Sequence, residues 1–271
     1  MYGMTITARL FDAHLHCRTK CYLLSRDETG TVPEYARWQT ARQESYRKSA
    51  LPTLTNLVTH GQIGKGILGI SSLPDVDGEV ATGVVARTSS MESCLQAVET
   101  VPVKGGSGKQ KIRPVLFCRS NKLGRTEKLM AVFDAVVLSD MLGRRFSGAK
   151  IVYGEAHSET VVSSRAMAEE VRKRTATIAT LIAAPSPPDL ILIRHCSECE
   201  FQTQCRQRAV EKDDLSLLSS MSEKERKKFN ERGIFTVTQL SHTFRPRRRR
   251  KQREPKPEKY QHALKALAIR E

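Results

Sequence analysis

The chain has 271 residues, 39% of them hydrophobic and 27% charged, and a formal net charge of +16 at pH 7. That length holds one large domain or one domain with appendages, with enough apolar residues for a real core. No run approaches the ~18 apolar residues of a spanning helix, and the opening "MYGMTITARLFDAH" lacks a basic then apolar leader. A cytoplasmic protein without a membrane partner is therefore expected, and its basic balance favours a polyanionic partner, nucleic acid first.

In chain order, residues 8–25 read as a short helix or strand-turn-helix, and 33–58 as helical, with Tyr35, Trp38 and Leu51 among polar neighbours. Residues 65–117 turn to Val, Ile, Thr and Gly and read as successive strands, with turns at 74–78 and 105–108. Helical spacing returns over 127–142, where Leu129, Val132, Phe133, Val136 and Leu142 share a face and Gly143 is placed to end the helix. "AKIVYG" is a short strand. A long helix is expected at 161–184, with Met167, Val171, Ile178 and Ile182 on one side, ended by "PSPPD". Residues 211–243 read as helix, turn, helix: Ser222 with Glu225 and Thr236 with Gln239 match capping boxes, and Gly233 lies between. Residues 245–253, "RPRRRRKQR", hold Arg245, Arg247, Arg248, Arg249, Arg250, Lys251 and Arg253, a non-specific phosphate-binding run or a charged linker.

Between these last two helical regions lies "RHCSECEFQTQC", with Cys196, Cys199 and Cys205 at C-x2-C-x5-C. Thiolates so spaced bind a metal or iron–sulfur centre from one turn and the segment after it. A reducing compartment argues against a disulfide framework for the seven cysteines. For a fourth ligand, Cys17, Cys21, Cys94 and Cys118 are available, the last two reading as core residues; zinc could also take His195, His14 or His16. Spacing alone does not choose among them.

"HLHCRTKCYLL" followed far downstream by "HCSECEFQTQC", then "DDLSLL" and "GIFTVTQLS", resembles the iron–sulfur RecB-like nucleases of the PD-(D/E)XK superfamily, which include helicase-associated AddB-type and CRISPR-associated members. The resemblance covers nearly the whole chain. It implies a 4Fe–4S cluster on Cys17, Cys196, Cys199 and Cys205, with zinc as the alternative metal. It implies an α/β fold, a restriction-endonuclease-like mixed sheet flanked by helices, over 1–210. A helical hairpin (211–243, a helix-hairpin-helix without its turn glycines) and a basic tail or linker (244–271) follow. Members of the group continue into an RNase H-like second half, so the chain is expected to correspond to an N-terminal half. An RNase H-like or helicase protein is then a candidate separate partner.

Such nucleases hold Mg2+ with an Asp on one strand and an acid-x-Lys on the next; the metal activates water, and the Lys stabilises developing charge. Here "QAVE" stands where the family has "DALE", so Gln96 takes the Asp position, and an amide is a weaker Mg2+ ligand than a carboxylate. Leu116 and Cys118 stand where Glu-x-Lys is expected, and Met130 and Asp134 where Gln-x3-Tyr is expected. Glu92, Glu99, Lys104 and Lys122 have suitable chemistry but read as solvated strand or turn residues; Asp134 reads as a helix-surface or hydrogen-bonded structural residue. No catalytic set carries over. "KGGSGKQK" (104–111) fails as a phosphate-binding P-loop, because Val103 and Gln110 replace the first Gly and the Ser or Thr; it reads as a basic hairpin loop. Three functions follow as expectations: a Mg2+-dependent DNA nuclease with a degenerate site, a catalytically silent nucleic-acid-binding protein on the same fold, and a zinc-stabilised interaction module.

Overall fold

A computed structural model describes residues 5–55, 80–101, 111–218, 221–243 and 262–270. The strand expected near 65–73, the turns at 74–78 and 105–108, Lys104 and the arginine run lie outside them. The chain divides into two compact units, Met1–Glu28 with Glu34–Pro188, and Thr29–Pro33 with Asp189–Glu271.

The first unit is a mixed α/β structure. Thr7 ends strand β1 (Ile6–Thr7) and caps helix α1 (Ala8–His16) by accepting the Leu10 N–H at 3.2 Å. Cys17 breaks the path in extended conformation before α2 (Arg18–Ser25). Helix α3 (Glu34–Thr55) follows. The strands β2 (Val80–Ala81), β3 (Val85–Arg87), β4 (Met91–Cys94), β5 (Ala97–Val101) and β6 (Lys111–Cys118) lead to α4 (Arg125–Met141), and β7 (Ala149–Tyr153) and β8 (Ser158–Val162) lead to α5 (Arg165–Ala183).

These strands make two sheets, β1-β4-β3 and β2-β5-β6-β7-β8. In the larger one β5 and β6 are antiparallel, β6 and β7 parallel, β7 and β8 antiparallel. A parallel pair needs a crossover, and α4 supplies it. Side-chain alternation gives the larger sheet two covered faces. Ala97, Val115, Phe117 and Val152 pack against Tyr46, Ala50 and Leu54 of α3. Cys118, Ala149 and Ile151 pack against Ala131 and Ala135 of α4. The largest core joins α1, α4 and α5 to the smaller sheet, with Phe11 stacked on Phe133 at 4.5 Å. Such a pair contributes about 1 kcal/mol beyond its area.

Three sequence expectations need correction. Residues 158–162 form a strand, and the helix expected from 161 begins at Arg165, where Ser164 caps it by accepting the Met167 N–H; β-branched Thr160, Val161 and Val162 suit a strand edge better than a helix start. Cys94 is exposed, because Met91 and Ser93 take the inward face of β4 and alternation turns Cys94 outward. On α3, Tyr35 and Trp38 are exposed, and the buried residues are Tyr46, Ala50 and Leu54. Third, Glu99 is buried rather than solvated. Gly143, at φ +60°, ends α4 as expected.

In the second unit a 3-10 turn (Arg194–Glu198) precedes α6 (Gln202–Glu211). Helices α7 (Glu223–Asn230) and α8 (Val237–Ser241) both carry the expected capping boxes, on Ser222–Glu225 and Thr236–Gln239. The segment read as tail contains helix α9 (His262–Arg270), whose Ala266 is buried with Leu215, Leu218, Val237 and Leu240. Among the described residues, no helix is long and apolar enough to cross a membrane.

Candidate functional site

Gln96 sits at the break between β4 and β5. Its side-chain oxygen accepts the Phe117 N–H of β6 at 2.9 Å, and the register Ala97↔Val115 sets it beside Leu116. The three positions where the nuclease resemblance requires acid, acid and lysine therefore lie on neighbouring strands. They supply an amide, an isobutyl group and a thiol. The Cys118 thiol is buried and held above its ordinary pKa by desolvation. The Gln96 amide spends its oxygen on the backbone, filling a gap in the ladder where the strand bends.

One strand-step on, the larger sheet carries a charged group that the sequence did not signal as a unit. On the face covered by α3, Glu99 of β5 meets Lys150 of β7 at 2.6 Å and Arg113 of β6 at 3.4 Å, and Lys150 also meets Glu159 of β8 at 3.0 Å. Glu99, Arg113 and Lys150 are each largely buried. Burial works against the Lys150 ammonium, but the Glu99 and then the Glu159 carboxylates outweigh it and raise its pKa. Both Glu99 oxygens are thus engaged by cations. A divalent metal would have to displace Lys150 to use them. Lys150 in "AKIVYG" was the available signal: a lysine within an apolar strand run needs a buried partner.

Asp134 lies inside α4, fully buried, and accepts a hydrogen bond from the Ser93 hydroxyl at 2.5 Å. Desolvation raises its pKa to about 7, against the smaller opposing effect of Ser93. It is the hydrogen-bonded structural acid of the two alternatives the sequence left. Glu92 pairs with Arg87 at 2.6 Å on the surface, and Lys122 is exposed in the loop before α4.

The cysteines divide between the units. Cys17 belongs to the first, where its sulfur accepts the Lys20 N–H at 3.4 Å. Its neighbour Cys21 is buried in the core, and desolvation followed by the nearby Cys17 pushes its pKa to about 12, which suits a packing residue rather than a thiolate. In the second unit Cys196 lies in the 3-10 turn, Cys199 ends it and Cys205 opens into α6. The Cys196 sulfur accepts the Ile193 N–H at 3.2 Å, and Cys199 and Cys205 are buried. Gly30 crosses this turn so closely that a Cβ would lie 2.3 Å from the Glu200 carbonyl oxygen.

The donor chemistry suits a thiolate-held centre, since backbone N–H groups directed at sulfur favour the thiolate. Among the described residues, no three His, Cys, Asp or Glu side chains form a group that would hold a metal ion. The basic residues Arg245, Arg247, Arg248, Arg249, Arg250, Lys251 and Arg253 lie outside the described residues. No known family model matches the chain, and no curated protein does.

Proposed function

We propose that this chain is a nucleic-acid-binding protein on a RecB-like nuclease scaffold, stapled by an iron–sulfur cluster, in which hydrolysis at the family's usual position has been lost. The observation that carries this reading is Gln96: its amide oxygen is committed to the Phe117 N–H, where a metal-holding carboxylate is required. The mixed sheet flanked by helices supports the scaffold. The charge of +16 supports a polyanionic partner, DNA in the first instance.

The cluster is assigned to Cys17, Cys196, Cys199 and Cys205, with zinc as the alternative metal. When bound it supplies structural cross-linking rather than reaction chemistry. The protein's own part is to hold the thiolates: Lys20 and Ile193 donate backbone N–H groups to two of the sulfurs, and Cys199 and Cys205 lie buried.

A second reading, residual Mg2+-dependent hydrolysis, is favoured by the Glu99–Lys150 pair, the acid and lysine that such chemistry uses. It requires Lys150 to release Glu99 to the metal.

Two measurements test the main reading. Anisotropy of a labelled DNA strand titrated with the full chain should show binding that weakens steeply between 50 and 200 mM salt, roughly 10³-fold if six or more phosphates are contacted. Salt-independent binding, or none, would sink it. Anaerobic purification should give a brown protein whose visible absorbance is lost in Cys17→Ser; a colourless, zinc-loaded protein would transfer the site to zinc.

A further inference from the structure

Helix α3 presents Tyr35 and Trp38 to solvent. Its inner side is fixed by Tyr46, Ala50 and Leu54 against the sheet and by Gln43. That amide grips the end of β6 at both atoms: its Nε2 donates to the Phe117 carbonyl at 2.6 Å, and its Oε1 accepts the Arg119 N–H at 3.2 Å. The helix cannot roll without breaking this clamp. Tyr35, Trp38 and Arg42, at i, i+3 and i+7, share one stripe of the helix, exposed in its N-terminal half where Tyr46 further along is buried.

There Tyr35 is 50% and Trp38 48% exposed. Their rings lie 5.7 Å apart at 30°, and the Arg42 guanidinium sits over the Trp38 ring at 4.8 Å. The Gln39 amide donates to the Tyr35 hydroxyl and accepts from the Arg119 guanidinium, which orients the ring and draws a further cation beside it. Along the same helix Arg37, Arg47 and Lys48 are exposed, against Glu34 and Glu44 as its acids. A chain with a single tryptophan thus leaves half of it in water, pre-stacked under a cation on a rigid element.

We infer that Tyr35, Trp38 and Arg42 form a base-stacking platform for single-stranded nucleic acid. Flat π faces take any unpaired base, and the guanidinium and flanking cations meet the phosphates. A duplex hides its base faces and offers this surface only its backbone. Net cationic charge on the helix selects this occupant over a basic or apolar peptide. From Trp38 to Lys48 the helix rises about 15 Å, enough to track a few nucleotides. The inference rests on the nucleic-acid reading above and adds the strand state and the contact surface.

Trp38, as the sole tryptophan, reports directly. Full-length protein is titrated with a 15-nucleotide oligo(dT) and with a duplex of the same length. Tryptophan emission and the anisotropy of the labelled DNA are read together. Oligo(dT) should quench the emission saturably, in step with the anisotropy, and the duplex should not. Trp38→Ala should weaken oligo(dT) binding about tenfold and duplex binding less than twofold. Arg42→Gln should weaken it and reduce the salt slope by about one contact. Trp38→Phe should recover part of the affinity, which separates stacking from a folding defect. Oligo(dT) binding with unquenched emission, or undiminished in Trp38→Ala, overturns the platform and leaves the nucleic-acid reading standing. Absence of any DNA binding overturns both. Emission that shifts with protein concentration alone would assign the surface to a second copy of the chain, and also overturns it.

Discussion

Asp134 is a carboxylic acid placed where a carboxylate is disfavoured. Its folded pKa of about 7 lies above the ordinary value of 3.8. Between those two values the folded chain holds a proton that the unfolded chain has released. Stability is therefore greatest below about pH 4 as far as this group is concerned, and falls as pH rises through about 7. Asp134→Asn, which keeps the Ser93 hydrogen bond, should flatten that part of a urea-denaturation profile measured from pH 4 to 8; an unchanged slope would assign it elsewhere. Glu99 behaves differently, since its charge is kept by cations. Glu99→Ala should cost about 2–4 kcal/mol by leaving Lys150 and Arg113 with one fewer acid, and Glu99→Met with Lys150→Met should recover part of this. Equal losses in the single and double variants would contradict the pairing. Neither acid was legible as buried. Asp134 differs from a surface acid only by its apolar neighbours in sequence, and Glu99 depends on a four-strand register that no local pattern encodes.

At the scale of elements, the sequence served best where one periodicity dominates. The apolar spacing of α4 places Leu129, Val132, Phe133 and Val136 in the core. The two capping boxes of the second unit are present as expected. Ser222→Ala should lower stability by about 1 kcal/mol, read as a shift of the thermal midpoint. It should also raise the Glu225 pKa from its value of about 2, which the Ser222 side chain sets first. The sequence served worst where propensity and pattern conflict. Val161 and Val162 fit the helical period of α5 but lie in β8, because Ser164 fixes the helix start. The spacing of α3 puts Tyr35 and Trp38 on the same stripe as Tyr46, and only the position along the helix leaves the first two exposed and the third buried. Gly30 was not singled out at all, since close backbone approach leaves no sequence signal beyond the glycine. Gly30→Ala should disturb the segment between Cys199 and α6, which carries Cys205, because the added Cβ meets the Glu200 backbone rather than a side chain that could move. Metal content of the purified variant should fall with its stability; an unaffected variant would mean that the crossing is not needed.

For the molecule as a whole, the coarse class was legible: a mixed α/β structure, a strongly basic balance, and a cysteine triplet spread over a 3-10 turn and the helix after it. The proposed function rests on a resemblance, in which uncharged residues stand at the acid and lysine positions. The sheet places Gln96, Leu116 and Cys118 together. The three uncharged side chains thus belong to one locality. The account therefore predicts a protein that holds nucleic acid without cutting it. The most direct test is a time course of labelled single-stranded and duplex DNA with the full chain in Mg2+ or Mn2+, with binding and strand integrity read from the same samples. The expected result is salt-sensitive binding with full-length DNA recovered, unchanged in Glu99→Ala and Asp134→Ala. Metal-dependent cleavage that disappears in Glu99→Ala would contradict it and establish a relocated active site.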